Sequence, residues 1–280
     1  MTRPFRPARV LAAPVAVGAL LAIGACSNGD DETTSAQATA SPAAATSRAA
    51  APAARATSSA SASAPLTEAG AKAALITEAD IEGDWQQVDD ADQWKDDLVA
   101  GKVDVDAFLT AKADAADCQR LLDGLYSEDL LGKPSGASAL TGFEEGDSRL
   151  LYQVAAYDKK ALDDSMKWLA SLPDTCDQFT ATDSRGGTRT VQVIETSLPK
   201  EGDARQGLEV TVQGTADGEP TTLTLDVGVV RVGNNAITVT AGGPDGGDQD
   251  SVNAAVQQGT GRLQDVLAGR TPAASPTPGE

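Results

Sequence analysis

No histidine occurs among the 280 residues. Its absence removes Ser-His-Asp and Cys-His nucleophilic catalysis, the commonest general base at neutral pH, and imidazole as a metal ligand. Basic residues are also scarce, 22 Lys and Arg against 41 Asp and Glu, for a formal net charge of −19. So acidic a chain repels phosphate backbones and anionic headgroups, which excludes nucleic acid as a partner. Cysteine appears three times, as Cys26, Cys118 and Cys176. Aromatic residues make up only 4% of the chain. Carboxylates are plentiful, but with 41 of them pairs arise by chance and nothing marks one as a general acid and base. The acidic clusters Asp104-Val105-Asp106 and Asp245-Gly246-Gly247-Asp248-Gln249-Asp250 lack the EF-hand spacing and its terminal bidentate glutamate. The glycine pairs Gly186-Gly187 and Gly242-Gly243 have no P-loop lysine behind them and read as turns. The expectation is a protein without catalytic activity, metal or cofactor.

What is present is informative first at the N-terminus. Arg3, Arg6 and Arg9 precede an apolar run over 10–25 that contains Pro14. At about 16 residues the run falls short of the roughly 20 needed to span a bilayer and reads as a signal peptide. It closes on Ile23-Gly24-Ala25-Cys26, which resembles a bacterial lipobox. That resemblance implies removal of residues 1–25 and lipidation of Cys26, with palmitate among the acyl chains expected. A diacylglyceryl group supplies the two chains that stable anchoring requires. The expected location is the extracytoplasmic face of the cell membrane, with the membrane a partner through the anchor. Losing three arginines and no acid takes the net charge to about −22.

Residues 26–65 are Ala, Ser, Thr and Pro with almost no large apolar side chain, too little to offset the entropy of ordering. They read as a disordered tether, and 271–280, with three prolines, as a disordered tail. Between them, 66–270 hold every Trp and Tyr, as one domain. In an oxidising compartment Cys118 and Cys176 are expected to pair, which leaves no thiolates for a zinc site.

Thr77 is placed to cap a short helical turn ending at Gly83, and a strand follows near 85–88. Residues 89–112 read as acidic and irregular, with helix near 105–111. A helix is predicted over 116–131 from the spacing of Cys118, Leu121, Leu122, Leu125 and Tyr126. Strands over 138–144 and 148–157 flank Glu145-Gly146-Asp147 as a hairpin. A helix over 159–172 is expected to stop at Pro173. Strands over 190–195, 207–213, 221–232 and 237–240, the last pair joined at Gly233-Asn234-Asn235, lead to a final helix over 250–268. The fold class expected is α+β, a twisted antiparallel sheet of about six strands with helices packed mainly on one face.

The string Leu75-Ile76-Thr77-Glu78-Ala79-Asp80-Ile81-Glu82-Gly83-Asp84-Trp85 resembles a recurrent opening of actinobacterial cell-envelope lipoproteins. Cys118-Gln119-Arg120-Leu121-Leu122, Cys176-Asp177-Gln178-Phe179 and Val230-Arg231-Val232-Gly233-Asn234 continue the likeness. From about Leu75 to Leu267 the chain is similar to the extracytoplasmic sensor domain of PknH-type mycobacterial serine/threonine kinases. The resemblance implies a twisted antiparallel sheet with helices on one side and a ligand groove. The chain departs from it in having no cysteines for a second disulfide, no kinase and no transmembrane helix.

Aromatic candidates for a groove are Trp85, Trp94, Trp168, Tyr126 and Tyr152, each of which also suits core packing. Trp94, in the acidic irregular segment, is the best candidate for an exposed contact. Arg231, at the sheet edge, is placed either for an anionic group or for a surface acid. The ligand-contacting set expected is therefore Trp94, Trp85, Tyr152 and Arg231. The functional expectation is a sensor-like, non-catalytic domain that binds a small or envelope-derived ligand. The alternative is a structural or interaction lipoprotein that docks another envelope protein.

Overall fold

Nine antiparallel strands form one sheet, in the order β1-β5-β6-β11-β10-β9-β8-β7-β4. They are β1 (Gln86–Val88), β4 (Ala111–Ala113), β5 (Ser138–Glu145), β6 (Ser148–Ala156), β7 (Gln178–Asp183), β8 (Thr188–Thr196), β9 (Ala204–Ala216), β10 (Glu219–Val232) and β11 (Asn235–Gly243). A separate two-stranded ribbon joins β2 (Val99–Ala100) to β3 (Val103–Asp104). The computed structural model describes residues 65–274 apart from 97, 101, 102, 184, 185 and 217. The expected signal segment 1–25, the expected lipidation site Cys26, the expected tether as far as residue 64 and the residues from 275 lie outside the described residues.

The sheet is wider than the six strands expected, because β7 and β4 extend one edge on few apolar residues. β7 contributes Phe179 and Ala181 to the core, and β4 Ala111 and Ala113. Both hairpins fall where their turn residues place them, with Gly146 and Gly233 at φ 54° and 63°, the left-handed values tight hairpin turns require.

Helices cover both faces, which corrects the one-sided expectation. One face carries Leu151, Ala155, Val191, Val193, Leu208, Val210, Val212, Leu223, Leu225, Val227 and Val229. Over it lie α2 (Val105–Leu109), α3 (Ala116–Gly124) and α4 (Lys159–Thr175). The other face carries Phe143, Leu150, Tyr152, Val154, Val230, Ile237 and Val239 beneath α1 (Glu68–Ala73) and α5 (Gln249–Leu267). The reason lies in β6 and β11, whose residues are buried on both sides with only Ala156 of β6 and its first two residues half-open. A strand buried on both faces needs a layer on each.

α3 ends at Gly124 rather than at residue 131, since Leu125 is extended (ψ 136°) and Tyr126 left-handed (φ 49°). The apolar residues beyond are buried in turns, with Leu130 packed against Gly124. α4 runs past Pro173 to Thr175. The Thr175 hydroxyl donates to the Ser171 carbonyl (2.9 Å) and the Cys176 amide to that of Leu172 (2.7 Å), completing the last turn. Cys118 and Cys176 are bonded and tie the start of α3 to the end of α4.

The opening string is a docking element for α5. The Thr77 amide and hydroxyl donate to one oxygen of Asp80 (2.8 and 3.0 Å), making a 3-10 turn over Glu78–Asp80. Arg262 of α5 meets the same carboxylate at 3.5 Å. The Trp85 indole donates to Ser251 (3.0 Å), which donates in turn to the Glu82 carbonyl (2.9 Å). In this chain the string thus serves to pack α5.

Candidate functional site

The four expected contact residues are not brought together. Trp85 and Tyr152 are buried under α5, where the Tyr152 hydroxyl lies 3.4 Å from the Ala74 carbonyl and leaves Gly259 no room for a side chain. Arg231 is ion-paired with Asp163 and donates to the Gly233 carbonyl at 2.7 Å. Hydrogen bonds from Lys159 and then from Arg231 hold the Asp163 carboxyl below its ordinary range. Trp94 is 4% exposed, so the expected exposed contact is instead a buried ring. It packs on the opposite face of the sheet from Trp85, over Gly142, a position with no space for a Cβ.

Trp94 does, however, line a cleft. Between the turn that carries it, α2 and the end of α3 is a recess of about 370 Å³. Its apolar walls are Trp94, Val105, Leu109, Leu122, Leu125 and Tyr126. Its rim carries Asp96, Asp106, Asp123 and Lys95. Two further recesses, of about 220 and 370 Å³, adjoin it and share Lys95. Lys95 is only loosely engaged, 3.5 Å from Asp129 with half its side chain exposed. Asp106 accepts from the Thr110 hydroxyl (3.0 Å), and Asp123 from the Gln119 amide (2.8 Å), which fixes both carboxylates at the rim.

Tyr126 organises the cleft. A left-handed, non-glycine backbone costs on the order of 1–2 kcal/mol and persists only where surroundings enforce it. Here the enforcement comes from the side chain. The phenol lies 2.9 Å from both the Arg149 and Gly242 carbonyls, so its single proton is shared between two acceptors. Burial pushes the phenol far above its ordinary pKa, so it remains a donor throughout the accessible pH range. The ring meets Trp94 edge-to-face, with centroids 6.0 Å apart and planes at 79°. Nearby, Arg120 stacks 3.8 Å over Trp168 and donates to Ser165 (2.9 Å), holding α3 against α4.

The cleft offers an apolar aromatic wall and a rim of hydrogen-bond acceptors. None of its lining residues is a cysteine or a histidine, and its one hydroxyl outside Tyr126, that of Thr110, donates to the Asp106 carboxylate. Among the described residues no group of three or more His, Cys, Asp or Glu is placed to hold a metal. Sequence reading named Trp94 and Tyr126 as aromatics but not their partners. Val105 and Leu109 lie in α2 and Leu122 in α3, both read as helix from the sequence, but helical spacing does not show that the two helices share a cleft.

A second chemical feature lies on the other face. Asp226 of β10 is 2% exposed, and one of its carboxylate oxygens has no hydrogen-bond partner. It sits beneath Gly247 and beside Glu209, its partner on β9. Burial, then the Glu209 and Asp248 charges, push its carboxyl up to about 6 against a bond from the Asp248 amide.

No family model and no curated protein matches the sequence. Among solved structures the chain is similar to the extracellular domain of PknH from Mycobacterium tuberculosis. The two are 13% identical, with 74% of this chain and 99% of that one covered and a TM-score of 0.41. The superposition is loose, and the function argued for this chain rests on its own residues.

Proposed function

We propose that this chain is an exported lipoprotein, anchored through Cys26 at the extracytoplasmic face of the cell membrane. Its domain binds a small or envelope-derived ligand and catalyses nothing. The ligand site is the cleft at Trp94 and Tyr126. The observation that carries this reading is the pairing of a strained, doubly anchored Tyr126 with a recess of about 370 Å³, within the size range of small-molecule sites. Strain of this kind concentrates at ligand clamps. The signal segment ending in Ile23-Gly24-Ala25-Cys26 supports the anchor. The bonded Cys118 and Cys176 suit an oxidising compartment.

Native mass spectrometry of the full chain, extracted from its own host's envelope, tests both parts. The expected protein begins at Cys26, carries acyl mass there, and holds a non-covalent mass that disappears on denaturation. Leu122→Trp, which fills the cleft, should abolish that non-covalent mass while leaving the acyl mass. A chain with no non-covalent mass would overturn the ligand reading and favour the docking of another envelope protein. A chain still starting at Met1 would overturn the anchor.

A further inference from the structure

On the α5 side of the sheet, α1 and α5 cover β5, β6, β11 and β10 and Leu198 covers Gly207 at the start of β9, while β7, β8 and the rest of β9 are left bare. The bare half is unusual for so acidic a chain. Thr180, Thr190, Gln213 and Thr222 stand directly opposite one another on four successive strands, forming one unbroken row. One step along, Gln178, Gln192, Thr211 and Thr224 form a second. The first row is exposed throughout, and the second is exposed on β7 and β8 and half-buried on β9 and β10. None of these eight side chains makes a hydrogen bond to another described residue. In a chain of net charge −19 neither row contains a charge. Charge begins at the borders, with Glu209 beyond the second row and Lys112 of β4, opposite Thr182, beyond the first.

We infer that this face is a binding surface for a neutral polysaccharide, lying across the strands with hydroxyls matched to the two threonine and glutamine rows. Three features choose that occupant. The face is nearly without large apolar groups, with Ile194 (43% exposed) at its margin, whereas protein docking cores rely on aromatics, Met and Arg. Neither row holds a cation for an anionic partner or a carboxylate for a cationic one. It does have hydroxyls and amides, each both donor and acceptor, as sugar hydroxyls are. Their spacing, about 4.8 Å between strands and about 6.8 Å between rows, places one strand under each sugar of an extended pyranose chain. This inference goes beyond the cleft reading and does not depend on it.

The test is affinity electrophoresis of the full chain through gels containing hydroxyethylcellulose, xylan or galactan. Carboxymethylcellulose serves as the charged counterpart. Retardation by at least one neutral polymer is expected, with carboxymethylcellulose bound about tenfold more weakly because Glu209 borders the rows. Thr190→Val with Thr211→Val keeps strand propensity and shape but removes two central hydroxyls, and should weaken binding about tenfold with the unfolding temperature unchanged. Leu122→Trp should bind polysaccharide as the parent does, which separates this surface from the cleft. Three results overturn the inference: no retardation by any neutral polymer, undiminished binding by the double valine variant, or retardation that proves to be self-association through this face.

Discussion

Replacing Asp226 with asparagine tests how the buried carboxylate acts on the fold. The carboxyl titrates near 6 in the folded chain against 3.8 in its ordinary state, chiefly because burial penalises the charge, with Glu209 adding repulsion. A raised folded pKa means that the folded state holds the proton more tightly than the unfolded chain. Its contribution is therefore fully present below about pH 4 and is lost as pH rises through about 6. At neutral pH the ionised carboxylate destabilises the fold. About two pKa units would be worth nearly 3 kcal/mol, and solvent screening around Glu209 and Asp248 discounts this to about 1–2 kcal/mol. Asparagine keeps the shape, can accept from the Asp248 amide, and offers an N–H to Glu209. Asp226→Asn should therefore raise the stability at pH 7.5 by about 1–2 kcal/mol, or roughly 3–6 °C in unfolding temperature for a domain of this size. Urea unfolding at pH 7.5 and pH 4 would show the gain shrinking toward zero at the lower pH. A gain that is the same at both pH values, or a loss at pH 7.5, would refute the reasoning.

Gly259 and Gly261 lie two residues apart in α5, about half a turn, and in opposite surroundings. Gly259→Ala collides with the Tyr152 ring and should cost about 2–3 kcal/mol, whereas Gly261→Ala meets nothing and should add about 0.5–1 kcal/mol, both read as shifts in thermal midpoint. Removing the bond between Cys118 and Cys176, which are 58 residues apart, as the double alanine variant should cost about 4 kcal/mol in guanidinium unfolding. Tyr126→Phe leaves the Arg149 and Gly242 carbonyls without their donor and should cost about 1–3 kcal/mol, with tryptophan fluorescence reporting a change at Trp94.

Strands declare themselves in this sequence where one face alone is buried. Val191 and Val193 in β8, or Leu208, Val210 and Val212 in β9, alternate with polar residues and are read at once. β6 reads differently. Leu150-Leu151-Tyr152 is an unbroken apolar run, and such a run in a strand signals cover on both sides. That signal was available for a two-sided fold, and so was Val229-Val230 in β10. β7 and β4 carried almost none, since a short strand with two apolar residues looks like any polar segment. The stop at Pro173 failed for a local reason. So close to the C-terminus of α4, the lost amide matters less than the Thr175 hydroxyl and the Cys176 amide that close the turn.

The cleft was illegible for a deeper reason. Aromatic type alone points to Trp85, Trp94 and Tyr152 equally, but two of them are trapped beneath α5 by hydrogen bonds to Ser251 and toward Ala74, partners 166 and 78 residues distant. Trp94 and Tyr126 meet because α3 breaks after Gly124, and that break is enforced by carbonyls on β6 and β11 that only the folded sheet presents. A residue held in a left-handed conformation by long-range bonds leaves no local trace, because the sequence around it still reads as helix. The threonine and glutamine rows are the converse. Every strand shows its own alternation, but that they align into uncharged rows follows from register, which the hairpin turns fix one strand at a time. Both proposed sites thus depend on strand pairing and helix termination, where a periodicity argument is weakest and a single-residue shift would move every row to the opposite face.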